Sequence, residues 1–110
     1  MNLTLLRQTL KACSDDTRLR ILNILKDGKL TVKEMCDILN VNQSTISKHL
    51  ARLRFAKIVM DERVGNTVYY SFHNTYGSPQ SKIISFLVSE FSSIDTFKID
   101  SQRKQELKGG

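Results

Sequence analysis

The chain has a single proline, Pro79, no tryptophan, only two cysteines, and no apolar run longer than three residues. Each scarcity removes a class of protein. Runs as short as Ile58-Val59-Met60 or Phe86-Leu87-Val88 cannot make a membrane-spanning helix, which needs about 20 apolar residues. The opening MNLTLLRQTLK is broken by Arg7 and Lys11 and lacks the apolar stretch and small-residue cleavage site of a secretory signal, so a cytoplasmic location is expected. In that reducing compartment, two thiols do not constitute a disulfide framework. Also missing are a Gly-rich phosphate loop, a ligand cluster, and any nucleophile, base and orienting group at recognisable spacing. The reading is therefore not an enzyme, with no cofactor and no metal.

What is present is enough for one domain of 110 residues with one hydrophobic core. Seventeen basic residues against eleven acidic ones give a net charge of +6, which favours a polyanionic partner such as nucleic acid or an anionic membrane surface.

Apolar periodicity divides the chain into elements. Leu3, Leu6, Leu10 and Cys13 share one face of a first helix. Ser14 offers an N-cap oxygen for a second, with Asp15 and Asp16 in the first turn where the helix dipole favours negative charge. Leu19, Ile21, Leu22, Ile24 and Leu25 surround most of that helix, marking it as central, and Gly28 stops it. Thr31 and Glu34 have the spacing of a capping box ahead of Val32, Met35, Cys36 and Leu39, a short third helix. Asn40-Val41-Asn42 breaks it, and Asn42 can cap the next helix by accepting from the backbone of Ser44 or Thr45.

That next helix, QSTISKHLARLRFA at 43 to 56, places Ile46, Leu50 and Leu53 on one face. After Ala56 the period falls to two. The segments 58 to 63 and 67 to 72, separated by Val64-Gly65-Asn66, read as a β-hairpin with Val68, Tyr70 and Phe72 on one side. Ser78 and Pro79 then open a helix running to about Ile94, whose apolar stripe is wider than a shallow core contact needs and points to a partner helix. Residues 95 to 110 are polar and sparse in core residues, so the expected organisation is one domain over 1 to 94 and a mobile tail.

The resulting fold class is mainly α with a β-hairpin wing, a winged helix-turn-helix. A short helix, a turn and a second helix place the second in the DNA major groove, and the hairpin tracks the adjacent backbone or minor groove. On the helix at 43 to 55, Ser44, Lys48 and Ala51 lie opposite the apolar stripe, with Thr45 and Arg52 on one flank and Ser47 on the other. Gln43 can pair with adenine, Ser44, Thr45 and Ser47 with base edges or phosphate, and Lys48 and Arg52 with guanine or phosphate. His49 lies nearer the core flank and has two readings, a phosphate contact or a packed, hydrogen-bonded structural histidine. In the wing, Arg63, Asn66 and Thr67 are candidates for the minor groove and backbone, although a solvated hairpin tip has the same composition.

Three separated motifs in fixed order, S-D-x-T-R-L-R-I-L at 14 to 22, Q-S-x-x-S-x-H-L at 43 to 50 and G-x-x-V-Y-Y-S at 65 to 71, resemble the ArsR/SmtB family of bacterial winged-helix repressors over about residues 3 to 94. The resemblance implies a homodimer, paired through its first and last helices, that binds a palindromic double-stranded DNA operator and releases it on binding an effector. The residues this assigns to the interface are Leu3, Leu6 and Leu10 with Ile83, Ile84, Leu87 and Phe91.

The departures concern the signal. One metal-sensing type in the family carries a thiol pair at the start of the third helix, where this chain has Thr31-Val32-Lys33. The other uses Asp, His and Glu on the last helix, where only Glu90 is found. Cys13 and Cys36 lie on apolar stripes and read first as small buried residues, with a thiol or redox switch and metal binding as alternatives. The effector is unassigned, and a winged-helix module that binds protein or RNA remains the rival to operator binding. Finally, Lys57 stands where the family commonly has Gly, in a left-handed position ending the recognition helix.

Overall fold

The computed structural model describes residues 1 to 73 and 78 to 109. Its elements run α1 (Leu3–Cys13), α2 (Asp16–Leu25), α3 (Val32–Leu39), α4 (Gln43–Phe55), β1 (Val59–Val64), β2 (Thr67–Phe72), α5 (Pro79–Glu90) and α6 (Asp95–Gly109). The core is built around α2. Ile21, Leu22, Ile24 and Leu25 pack with Met35, Ile38 and Leu39 of α3, Ile46, Leu50 and Leu53 of α4, Val59 of β1, and Ile84 and Val88 of α5.

Local chemistry sets the helix-turn-helix. The Thr31 hydroxyl accepts from the Glu34 backbone N–H at 3.1 Å while the Glu34 carboxylate accepts from Thr31 N–H at 2.9 Å, so both arms of the capping box form. Asn40 ends α3 in the left-handed region, φ 56°, which Asn tolerates through its short polar side chain. Asn42 then caps α4, its Oδ1 accepting from Thr45 N–H at 2.9 Å. At the far end of α4 the Ile58 N–H donates to Leu53 O and the Lys57 N–H to Arg54 O, the paired closure of a Schellman turn, with Lys57 itself at φ 61°. The chain therefore uses a side-chain-bearing residue where Gly carries no penalty.

β1 and β2 pair antiparallel from Val59 opposite Phe72 to Val64 opposite Thr67. Val64 thus belongs to the strand and the turn is two residues, of which only Gly65 takes positive φ, 64°. An unanticipated link holds the wing to the body. Leu30, between α2 and α3, exchanges two backbone hydrogen bonds with Tyr70, Leu30 N–H to Tyr70 O at 3.0 Å and Tyr70 N–H to Leu30 O at 2.8 Å.

Three further sequence expectations, all on the extent of the helices, change. The N-cap of α2 is Asp15, whose Oδ1 accepts from Arg18 N–H at 3.0 Å, while Ser14 closes α1. The carboxylate, a better acceptor for an orphan N–H, takes the cap one residue later. The helix opened by Ser78 and Pro79 ends at Glu90, short of Ile94. Residues 95 to 109 are not a free tail but the helix α6, packed on α2 and α3.

Polar contacts hold α6 in place of a broad apolar stripe. Phe97 is its buried apolar anchor, and Asp100 is buried against Arg20. The buried amide of Asn23 donates to Phe97 O and Ser101 Oγ, each at 3.2 Å. Lys104 Nζ donates to Ile24 O at 2.6 Å, satisfying a carbonyl of the last turn of α2, and Lys108 pairs with Glu34.

Candidate nucleic-acid interface

Burial of Ile46, Leu50 and Leu53 fixes the rotation of α4 and so decides which side chains face outward. Gln43, Ser44, Ser47, Lys48 and Arg52 are exposed on its outer surface, and Thr45 and His49 are half-buried at its edges. Hydroxyl and amide groups occupy the N-terminal turns, where a helix entering the major groove presents its reading residues. Ser44 donates to Asn42 Oδ1 at 3.0 Å, which orients its oxygen while leaving acceptor capacity.

His49 is tied inward. Its Nδ1 lies 3.2 Å from an Arg18 guanidinium nitrogen and 3.8 Å from Asp15 Oδ1. Arg18 is always a donor, so Nδ1 accepts and the ring carries its proton on Nε2. Arg18 is itself held, donating through Nε to Ala12 O at 2.7 Å. Asp15, Arg18 and His49 thus join the end of α1, the start of α2 and the recognition helix. The Arg18 N–H that caps α2 also holds the Asp15 carboxyl below its ordinary value, outweighing the opposing effect of burial, and the positive charge of the Arg18 side chain adds to it. This is the structural reading of His49, and it gives Asp15 and Arg18 a positioning role that periodicity alone did not reveal.

In the wing, Arg63, Asn66 and Thr67 are all exposed. Asp61, of the sign that repels phosphate, is engaged by Arg54 of α4 at 3.1 Å, which neutralises it and braces the wing against the recognition helix. Lys29 lies over the Tyr69 ring, 4.6 Å from its centre.

A separate apolar surface lies on α1 and α5. Leu3 is 76 % exposed, and Leu10, Phe86 and Phe91 are exposed with it. Leu6, Ile83 and Leu87 are half-buried. Phe86 and Phe91 meet edge to face with centroids 6.2 Å apart. Ile84 departs from the sequence expectation: at 4 % exposure it is a core residue of its own chain, because the face of α5 that meets α2 includes Ile84 and Val88.

Cys13 is buried and Cys36 half-buried, both as free thiols. Burial pushes both above the ordinary thiol value; nearby Arg18 opposes it at Cys13, and Asp37 adds to it at Cys36. Neither is an activated thiolate. Among the described residues, no group of three or more His, Cys, Asp and Glu side chains is placed to hold a metal ion. No helix among them is long and apolar enough to cross a membrane.

Residues 15 to 60, from the cap of α2 to the first strand, match the family model described as bacterial regulatory protein, arsR family. The transcriptional repressor SdpR of Bacillus subtilis is 40 % identical over 65 residues, which cover 59 % of this chain and 72 % of SdpR. The structure of reduced HlyU from Vibrio cholerae superposes with a TM-score of 0.68 at 33 % identity, covering 76 % of this chain and 85 % of HlyU. A homodimeric winged helix-turn-helix DNA-binding domain from Mycobacterium bovis shares the fold over 98 % of this chain and 86 % of its own, with a TM-score of 0.67 at 19 % identity. The two elements of a DNA reader, an outward polar helix and a braced wing, therefore sit on a chain that belongs to the ArsR family of bacterial regulatory proteins.

Proposed function

We propose that the chain is a homodimeric transcriptional repressor that binds a palindromic operator through Gln43, Ser44, Thr45, Ser47, Lys48 and Arg52 of α4, with Arg63, Asn66 and Thr67 of the wing on the flanking backbone and minor groove. The observation that carries this reading is the outward array on α4, with Gln43, Ser44, Ser47, Lys48 and Arg52 exposed and Thr45 half-buried at its edge, while Ile46, Leu50 and Leu53 are fully buried. His49 serves it from within, positioned by Arg18 and Asp15.

Dimerisation uses α1 and α5, whose exposed Leu3, Leu10, Phe86 and Phe91 form an apolar surface of the kind that marks a protein interface. Two copies joined there place two recognition helices on successive major-groove faces about 34 Å apart. The reading includes no catalytic step.

A gel shift with the promoter of its own operon, under reducing and oxidising conditions and with a panel of metals, tests this. The expected result is a discrete complex competed by the same duplex and not by a scrambled one, unchanged by oxidation or metal. Release on oxidation would assign the signal to Cys13 or Cys36. Equal competition by the scrambled duplex would favour a protein- or RNA-binding module.

A further inference from the structure

Between α1 and the second half of α4 lies an open groove of about 470 Å³, within the size range of small-molecule sites. Its floor includes Ala12 and Ala51, whose methyl groups leave room above them. One wall is Phe55, in the last turn of α4, which is 89 % exposed and the most exposed large apolar side chain of the described residues. Lys11, Arg18 and Arg52 also line the groove, and no carboxylate does.

The groove is not a product of the unpaired dimer surface. On α1, Gln8 and Ala12 project to the side of the helix away from Leu3, Leu6 and Leu10, while Lys11 lines both the groove and the leucine surface.

An aromatic wall, a small-residue floor and three cations with no carboxylate in the lining select a flat apolar body carrying a negative group. Guanidinium groups match carboxylates in shape as well as charge. We propose that this groove binds a small aromatic carboxylate as the effector of DNA binding, its ring against Phe55 and its carboxylate among Lys11, Arg18 and Arg52. The assignment rests on the operator-binding reading above.

The route from ligand to DNA is short. Arg18 donates to Ala12 O and to His49 Nδ1 from the same guanidinium, so a carboxylate that recruits it loosens the seat of the recognition helix. Arg52 is drawn from the DNA surface by the same event. Both effects lower operator affinity, and the ligand prefers the DNA-free state by an equal factor.

The test uses the full chain with 2-naphthoate as probe, its neutral analogue 2-naphthalenemethanol, and the variants Phe55→Ala and Lys11→Gln. Calorimetry without DNA reads the groove, and anisotropy of a labelled operator duplex reads the coupling. Without ligand, both variants should bind the operator within about twofold of the parent chain. Saturating 2-naphthoate should bind once per chain and weaken operator affinity by about tenfold, a typical coupling. The alcohol should bind far more weakly, and Phe55→Ala should abolish both effects.

Absence of saturable binding, equal binding of the alcohol, persistence in both variants, or unchanged operator affinity at saturation each overturns the proposal. Loss of operator affinity in the ligand-free variants also overturns it, by placing the groove in the DNA surface. If the parent chain binds no operator, the repressor reading has failed, and calorimetry alone decides whether the groove takes the anion.

Discussion

Arg20 of α2 and Asp100 of α6, eighty residues apart in sequence, form a two-pronged ion pair: Nε to Oδ2 at 2.8 Å and a terminal guanidinium nitrogen to Oδ1 at 3.0 Å. Asp100 is 1 % exposed, and the same Arg20 nitrogen also donates to Leu39 O, the last residue of α3, at 2.9 Å. One guanidinium therefore ties the added helix to the end of α3, the first helix of the helix-turn-helix.

Asp100→Ala leaves a partly buried guanidinium without its carboxylate. The cost is about 2 to 3 kcal/mol, below that for a completely buried pair because the Arg20 side chain keeps 24 % exposure. Urea unfolding checks this; a change under about 0.5 kcal/mol would mean that α6 is only loosely attached.

Why α6 escaped the sequence reading follows from the same pair. Its apolar residues Phe97, Ile99 and Leu107 make no continuous stripe, and only Phe97 is buried. Its attachment is polar and long-range, through Arg20, Asn23, Glu34 and the carbonyl of Ile24, and no local pattern encodes a partner seventy or eighty residues away. Asn23, a polar residue inside an otherwise apolar helix, was the one available signal, since a buried amide requires partners. By contrast, the capping box of α3, the Asn42 cap and the hairpin were legible because each is settled by residues within a few positions of one another. His49 stood between these cases: its rotation was readable from periodicity, but its partner Arg18, thirty-one residues earlier, was not.

Lys57→Gly should stabilise the fold by about 0.5 to 1 kcal/mol, because φ of 61° strains a residue with a Cβ and the Schellman hydrogen bonds involve only the backbone. The offset is the greater freedom of an unfolded glycine, which keeps the gain small. Thermal or urea unfolding reads it, and destabilisation would contradict the left-handed assignment.

Acid sensitivity has a defined sign. Burial opposes ionisation of Glu34, but the Lys108 ammonium and the Thr31 bonds outweigh it and hold the carboxyl below its ordinary value near 4.5. Asp15 is held below 3.8 chiefly by the Arg18 backbone N–H. Both groups therefore contribute stability that is fully present above their unfolded values and is lost as pH falls through the lower folded ones. The double variant Asp15→Asn, Glu34→Gln keeps an acceptor at each cap and removes the titration. Its urea midpoint should fall less steeply than that of the parent chain below about pH 4.5; parallel profiles would contradict these assignments.

The central claim is that two copies read an operator through the outer face of α4. The direct measurement is the affinity of the full chain for its own promoter duplex and for a scrambled duplex, by fluorescence anisotropy across salt concentration, alongside the Gln43→Ala, Ser47→Ala double variant. With ~3 to 5 phosphates neutralised per protomer, log K against log salt should fall with a slope of about −5 to −9 at two chains per duplex. The parent chain should prefer the promoter strongly, and the double variant should keep the weak binding to the scrambled duplex while losing that preference. A flat salt profile, one chain per duplex, or an undiminished preference in the double variant would contradict the account.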